Sequence, residues 1–191
     1  MSVNPFSSWN SGFGGSVYGA LPTSGPASTA SSLMSFVFTQ FNPNILNCTV
    51  VGSNGQPHFY VFTDASLPNF TILKRSDGRP FGVIEWRNHP VVEIKDLVKK
   101  QFSSQFLHLS QDQRSRTMTI DSREYVWVPQ TNQVEAIWLY RANLPQSPPL
   151  ARIIKSGSNI HLELNPEAIQ AGLLQPCLLS VVLLHSGRQI D

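Results

Sequence analysis

Charge is scarce in this chain and unevenly placed. Asp, Glu, Lys and Arg make up 14% of the 191 residues, against about a quarter in an ordinary globular domain. None of them precedes Asp64, so the opening third lacks the Glu and Lys that decorate exposed helices. A net charge of +2 is too small to point to nucleic acid, and no nucleic-acid partner is expected. Apolar runs are short as well. No stretch of about 18 consecutive apolar residues occurs, so no transmembrane segment is expected. The first residues carry neither a basic nor an apolar segment, and no secretory signal is read there. The expected location is therefore the cytoplasm, with peripheral contact to a membrane left open. Cysteine is nearly absent: Cys48 and Cys177 are the two present, and neither has a metal-type neighbour. Both are expected as small buried hydrophobes with free thiols. The Asn-x-Thr triplets at Asn47 and Asn69 are then chance matches to a glycosylation pattern.

Catalytic signatures are missing too. There is no Gly-x-Ser-x-Gly elbow, no phosphate-binding Gly-rich loop and no zinc-type Cys/His spacing. His58, His89, His108, His161 and His185 stand singly, and no two carboxylates have the spacing of an acid/base pair. No cofactor and no metal are expected. An enzyme would need a site that these spacings do not display.

What is present is a strand rhythm. From residue 33 onward, β-branched and aromatic stretches alternate with Asn, Gly, Pro and Ser clusters. Stretches at 33–39, 45–51, 58–63, 69–75, 80–87 and 91–94 read as strands, and Asn54-Gly55 and Ser76-Asp77-Gly78 read as turns. The stretches at 114–120, 124–128, 134–140, 150–154 and 160–164 continue the series. Turns at roughly 8–12-residue intervals are the spacing of an all-β sandwich or barrel. Between residues 96 and 109, Leu97, Val98, Phe102, Phe106 and Leu109 recur at three- and four-residue steps, so a short helix is expected there. Asn165-Pro166 reads as an N-cap followed by Pro at the first helical position.

The run at 173–184 differs from everything before it. Pro176 suits a first helical turn, Gly187 suits a left-handed stop, and Arg188 is placed to meet the last carbonyls. Between them almost nothing is polar on any face, so the helix has to be enclosed. Residues 1–31, by contrast, are Ser, Gly, Pro, Ala and Thr with Phe6, Trp9, Phe13 and Tyr18 among them. That composition does not bury enough apolar surface to offset the entropy of ordering. The expected organisation is a disordered tail at 1–31 and one domain at 32–191.

Three short stretches carry a family resemblance: Ile84-Glu85-Trp86-Arg87, Tyr125-x-Trp127 after a charged turn, and Ala151-Arg152-Ile153, followed by the apolar C-terminal helix. Together they resemble a large, mostly uncharacterised domain family of fungi, chiefly basidiomycetes, related to the tubby C-terminal and LURP-one/scramblase-like β-barrels. The resemblance covers roughly residues 33 to 187. It implies a mainly β fold: a closed antiparallel β-barrel of about twelve strands around the buried C-terminal helix. It also implies an outer surface that meets phosphoinositide headgroups, although the tubby phosphoinositide cluster has no counterpart among these residues.

Binding chemistry is therefore sought in the basic turns. Lys74, Arg75 and Arg79 crowd one, Lys95, Lys99 and Lys100 a second, and Arg114, Arg116 and Arg123 a third. At one end of a barrel they would meet anionic lipid headgroups; spread around a rim they are solvating charges. Glu85 and Arg87 share a face opposite Trp86, as a polar site or as an ion pair over a buried indole. Tyr125 and Trp127 likewise share one face, where core packing is expected. Three functions stay open: a non-enzymatic binding module for anionic phospholipid or a protein, an interaction domain recruited through its aromatic tail, and an enzyme with an unrecognised site. Oligomeric state is not legible.

Overall fold

On a strand, successive side chains point to opposite faces, so alternation commits a segment to lie with one side in a core. The computed structural model describes residues 33–130, 136–144 and 147–191. The segment read as a tail, residues 1–31, lies outside the described residues. In β1 (Met34–Thr39) Phe36 and Phe38 are buried, while Val37 and Thr39 are half-exposed. The same alternation runs through β2 (Cys48–Gly52) and β4 (Phe70–Arg75); β3 (Pro57–Thr63) buries Val61, while β5 (Pro80–Glu85) and β6 (Val91–Ile94) bury consecutive residues on both faces. After β7 (Val98–Phe102) the chain makes one helical turn, α1 (Ser103–Phe106), and continues as β8 (His108–Leu109). Then come β9 (Arg116–Ile120), β10 (Arg123–Pro129), β11 (Ala136–Arg141), β12 (Ala151–Ser156) and β13 (Asn159–Leu164). Two helices close the chain: α2 (Pro166–Gln170), capped by the Asn165 side chain on the Ala168 amide, and α3 (Leu174–His185).

The thirteen strands of the described residues form one antiparallel sheet in the order β7-β6-β5-β4-β3-β2-β1-β13-β12-β11-β10-β9-β8. Three register shifts, at Val50/Val51, Leu73/Lys74 and Val92/Ile94, bend its first half, as bulges do. The sheet curls around α3. That helix packs on β5 and on β13, and its Ser180 hydroxyl lies 3.7 Å from the Met118 sulfur on β9. Between β5 and β9 the order counts nine strand spacings, about 43 Å if the sheet were flat. A helix about 10–12 Å across reaches both only inside a curved sheet.

Two expectations are corrected here. The described residues form thirteen strands, in line with about twelve, but hydrogen bonds do not close the sheet: β7 and β8 are its two ends. Twelve antiparallel steps leave β7 and β8 running in the same sense, as two parts of one rising segment. It pairs with β6 before α1 and with β9 after it, so the chain itself joins the sheet's ends. The helix expected between residues 96 and 109 shrinks to the four residues of α1. The apolar spacing has a different cause: Val98 is buried from a strand and Phe106 from the helical turn.

Helix α3 answers the expectation of an enclosed segment. Residues 176 to 183 are all buried. Pro176 sits in the first turn, where a missing N–H costs nothing. The buried Ser180 hydroxyl donates back to the Pro176 carbonyl at 2.8 Å, so no polar atom of its side chain goes unpaired. Gly187 takes φ 69° just past the helix, the left-handed stop. Cys48 and Cys177 are buried and unpaired; burial pushes the Cys48 thiol up to about 12 and raises the Cys177 thiol as well.

Replacing Leu179 or Val182, each 0% exposed, with Asp is expected to abolish the cooperative thermal transition. An unpaired buried charge costs several kcal/mol, comparable with the whole stability of a domain. A circular-dichroism melt that stays sharp in either variant would place the helix outside the core.

Candidate functional site

Turns alternate between the two ends of an antiparallel meander. The β2–β3, β4–β5, β6–β7 and β9–β10 turns share one end with α2. The β1–β2, β3–β4, β5–β6, β8–β9 and β12–β13 turns share the other with α1 and the C-terminal residues. This sorts the nine basic candidates. Lys74, Arg75 and Arg79 flank the β4–β5 turn, Lys95 and Lys99 flank the β6–β7 turn, and Arg123 follows the β9–β10 turn, all toward the α2 end. Arg114 and Arg116 lie at the opposite end. Lys100 is drawn onto Glu85 across β6.

The α2 end is not purely cationic. Arg79 pairs with Asp77 at 2.5 Å, and Lys74 holds its ammonium 4.7 Å above the Phe62 ring. Asp96 and Asp121 stand beside Lys95 and Arg123 in sequence. Arg75, Lys95, Lys99 and Arg123 are exposed and have no ion-pair partner among the described residues. Arg123 also lines a polar cleft of about 580 Å³ with Thr119, Ser122, Glu124, Arg141 and Asn143. The lip of that cleft is a two-residue turn in which Asp121 and Ser122 both have positive φ, 47° and 62°. Such turns favour Asn-Gly, and neither residue here has glycine's freedom. Arg141 meets Glu167 of α2 across the cleft's edge.

The motif around Trp86 resolves as an ion pair beside a buried indole. Trp86 donates from Nε1 to the Thr71 hydroxyl at 2.8 Å, and Thr71 and Thr63 hydroxyls are 2.7 Å apart. Glu85 is bound by Arg87, its neighbour but one, and by Lys100 at 3.2 Å from β7. Arg188, expected at the last carbonyls of α3, stacks instead over the Trp86 ring at 4.8 Å. Tyr125 and Trp127 both face the core, at 2% and 1% exposure.

The C-terminal residues fasten the α1 end. Ser103 donates its hydroxyl to the Ile190 carbonyl at 2.6 Å. Arg116 donates to both carboxylate oxygens of Asp191, at 2.8 and 2.6 Å, and to the Leu107 carbonyl at 3.0 Å. These links join residues 75 and 87 positions apart, so no local motif could reveal them. The histidines do not gather: among the described residues no group of three or more His, Cys, Asp or Glu is arranged to hold a metal ion. No helix among them is long and apolar enough to cross a membrane.

Several carboxyls are held below their ordinary range. Glu85 is lowered by its hydrogen bond from Arg87 and then by Lys100; Asp191 is lowered by Arg116, and Asp77 by Arg79. A carboxyl that titrates lower folded than unfolded adds stability above its unfolded pKa. That stability is lost as pH falls through the folded value. The melting temperature is therefore expected to be level near neutrality and to drop below about pH 4. Glu85→Gln should shrink that drop; an acid limb identical to the parent's would show that the pair adds nothing.

No curated protein matches the chain. A solved X-ray structure of a protein from Arabidopsis thaliana is similar over 80% of this chain and 93% of its own, with 14% identity and a TM-score of 0.45. A family model described as a family of unknown function (DUF6593) matches residues 43–189, which takes in every strand from β2 to β13 and all three helices. The chain belongs to that family.

Proposed function

We propose that this protein is a non-enzymatic binding module that meets anionic lipid headgroups through its α2 end. The observation that carries the reading is the gathering of six basic side chains, Lys74, Arg75, Arg79, Lys95, Lys99 and Arg123, toward one end of the sheet. The cleft beside Arg123 supplies a recess for a polar headgroup. Helix α3 supports the non-enzymatic part, since it occupies the space inside the sheet where a deep substrate pocket would lie. A closed barrel of the tubby-like kind, with the β7–α1–β8 segment as its seam, belongs to the same reading. The carboxylates among these turns weaken the field, so the binding is modest and strongest at low ionic strength.

Each basic residue near an anionic surface contributes about 1 kcal/mol, so Arg75→Ala, Lys95→Ala and Lys99→Ala together should weaken binding roughly 100-fold. The measurement is co-sedimentation with phosphatidylcholine vesicles with and without phosphoinositide, at low and high salt. Equal recovery on both vesicle types, or no loss in the triple variant, would sink the lipid reading.

Protein recognition is the second reading, favoured by the outward face of β10 to β12. There Trp138 stacks under Arg152 at 5.0 Å and beside Tyr140, with half-exposed Val126 and Val128 paired to them across the ladder. Aromatic residues and Arg are the types that anchor protein interfaces. A partner that binds the triple variant as well as the parent but loses Trp138→Ala would mark this face as the functional one.

A further inference from the structure

The outer face of β3, β4 and β5 carries apolar side chains where an antiparallel sheet ordinarily presents polar ones to water. Phe62, Ile72 and Val83 stand opposite one another in consecutive ladders, and Glu93 on β6 ends the row. Phe62 is 42% exposed even with the Lys74 ammonium 4.7 Å above its ring. Phe70, two residues from Ile72 and so on the same face, is exposed as well. On the other side of Ile72 from this knob the face is concave. Ile72, Pro80 and Val83 line a groove of about 320 Å³ together with Glu93, which is exposed and has no ion-pair partner among the described residues. Lys95, from the β6–β7 turn, lines it too. A contiguous exposed apolar patch with a polar rim is a mark of an interaction surface.

We infer that this face pairs with a second copy of the chain, the Phe62 of each copy seated in the Ile72–Val83 groove of the other. A knob and an apolar groove side by side on one surface are what a two-fold contact needs, because whatever the first copy offers the second receives, and the reverse. Charge matches in the same arrangement. Lys74 rides on the Phe62 ring, and Glu93 is the carboxylate that lines the groove, so seating the knob brings an ammonium beside an unpaired carboxylate. Aromatic anchors at the centre and charges at the rim are the ordinary composition of a protein interface. A single row of anchors makes a weak, reversible pair, with a dissociation constant of about 10 μM. The surface is separate from the β10–β12 face, and the pairing does not depend on the lipid-headgroup reading.

The test is sedimentation velocity of the full chain over a range of concentrations, without lipid. Monomer–dimer exchange is expected. Phe62→Ala removes the knob and Val83→Arg blocks the groove, and each should weaken pairing at least tenfold. Both positions reach water, so the melting temperature should change little in either variant. Mixing the two variants separates a knob in a groove from a general loss of apolar surface. The knob of the Val83→Arg chain still meets the open groove of the Phe62→Ala chain, so the mixture should pair more tightly than either variant alone. Lys74→Glu should weaken pairing, and adding Glu93→Lys to it should restore it. A parent chain that stays monomeric at about 100 μM, tenfold above the expected constant, would overturn the inference. So would a dimer untouched by Phe62→Ala, or a mixture no tighter than its components. A monomer that sediments with phosphatidylcholine vesicles through Phe62 would give this face to a bilayer and overturn the pairing too. Failure of the basic turns to bind phosphoinositide leaves every one of these readings in place.

Discussion

A helix that is apolar on every side has no face to give to water, and α3 is such a helix. Burying its eight central residues, from Pro176 to Leu183, requires partners on all sides. The sheet supplies them by curling, so that strands nine places apart in the order meet the same helix. The other large features follow from this demand. Bulges bend the first half of the sheet, alternating apolar residues line its inner face, and the one polar side chain in the helix's centre, Ser180, is satisfied within the helix itself.

No continuous ladder of hydrogen bonds closes the sheet, whose end strands are β7 and β8. The segment from β7 to β8 changes partner midway, and α1 is the joint at which it does so. Such a joint leaves strand edges unpaired, which proteins blunt with Lys or cover with other elements. Here Lys99 and Lys100 lie on the β7 edge. The C-terminal residues reinforce the joint from the far side, through Ser103 to Ile190 and Arg116 to Asp191. The same stretch that supplies the core helix thus also ties down the sheet's weakest place.

Charge follows a local logic. Each turn rich in Lys or Arg carries a carboxylate of its own, and much of the pairing is between near neighbours: Asp77 with Arg79, Glu85 with Arg87. Such local pairing leaves no strong field around the turns, because opposite charges lie within a few residues of each other. It also explains why a basic turn read along the chain overstates what a ligand meets: the nine candidates divide between two ends and an outer-face ion pair. An exposed cation adjoins a recess at Arg123 and at Arg114.

Strand rhythm, the enclosed helix with its Pro and Gly limits, the shared face of Tyr125 and Trp127 and the buried thiols were all legible in the sequence. Each depends on neighbours within a few residues, or on a periodicity that any strand or helix must obey. The short helix read between residues 96 and 109 is present over Ser103–Phe106 alone, since a three-to-four spacing also arises when a strand runs into a single helical turn. Long-range pairing decided the rest. It set where the sheet ends, which basic turns share an end, that Lys100 serves Glu85 and that Arg188 covers Trp86. The sequence alone determined that an apolar helix needed a β wrapper. Only the tertiary structure decided which strands end the wrapper, because register and strand order depend on residues tens of positions apart, whose separation along the chain carries no periodic signal.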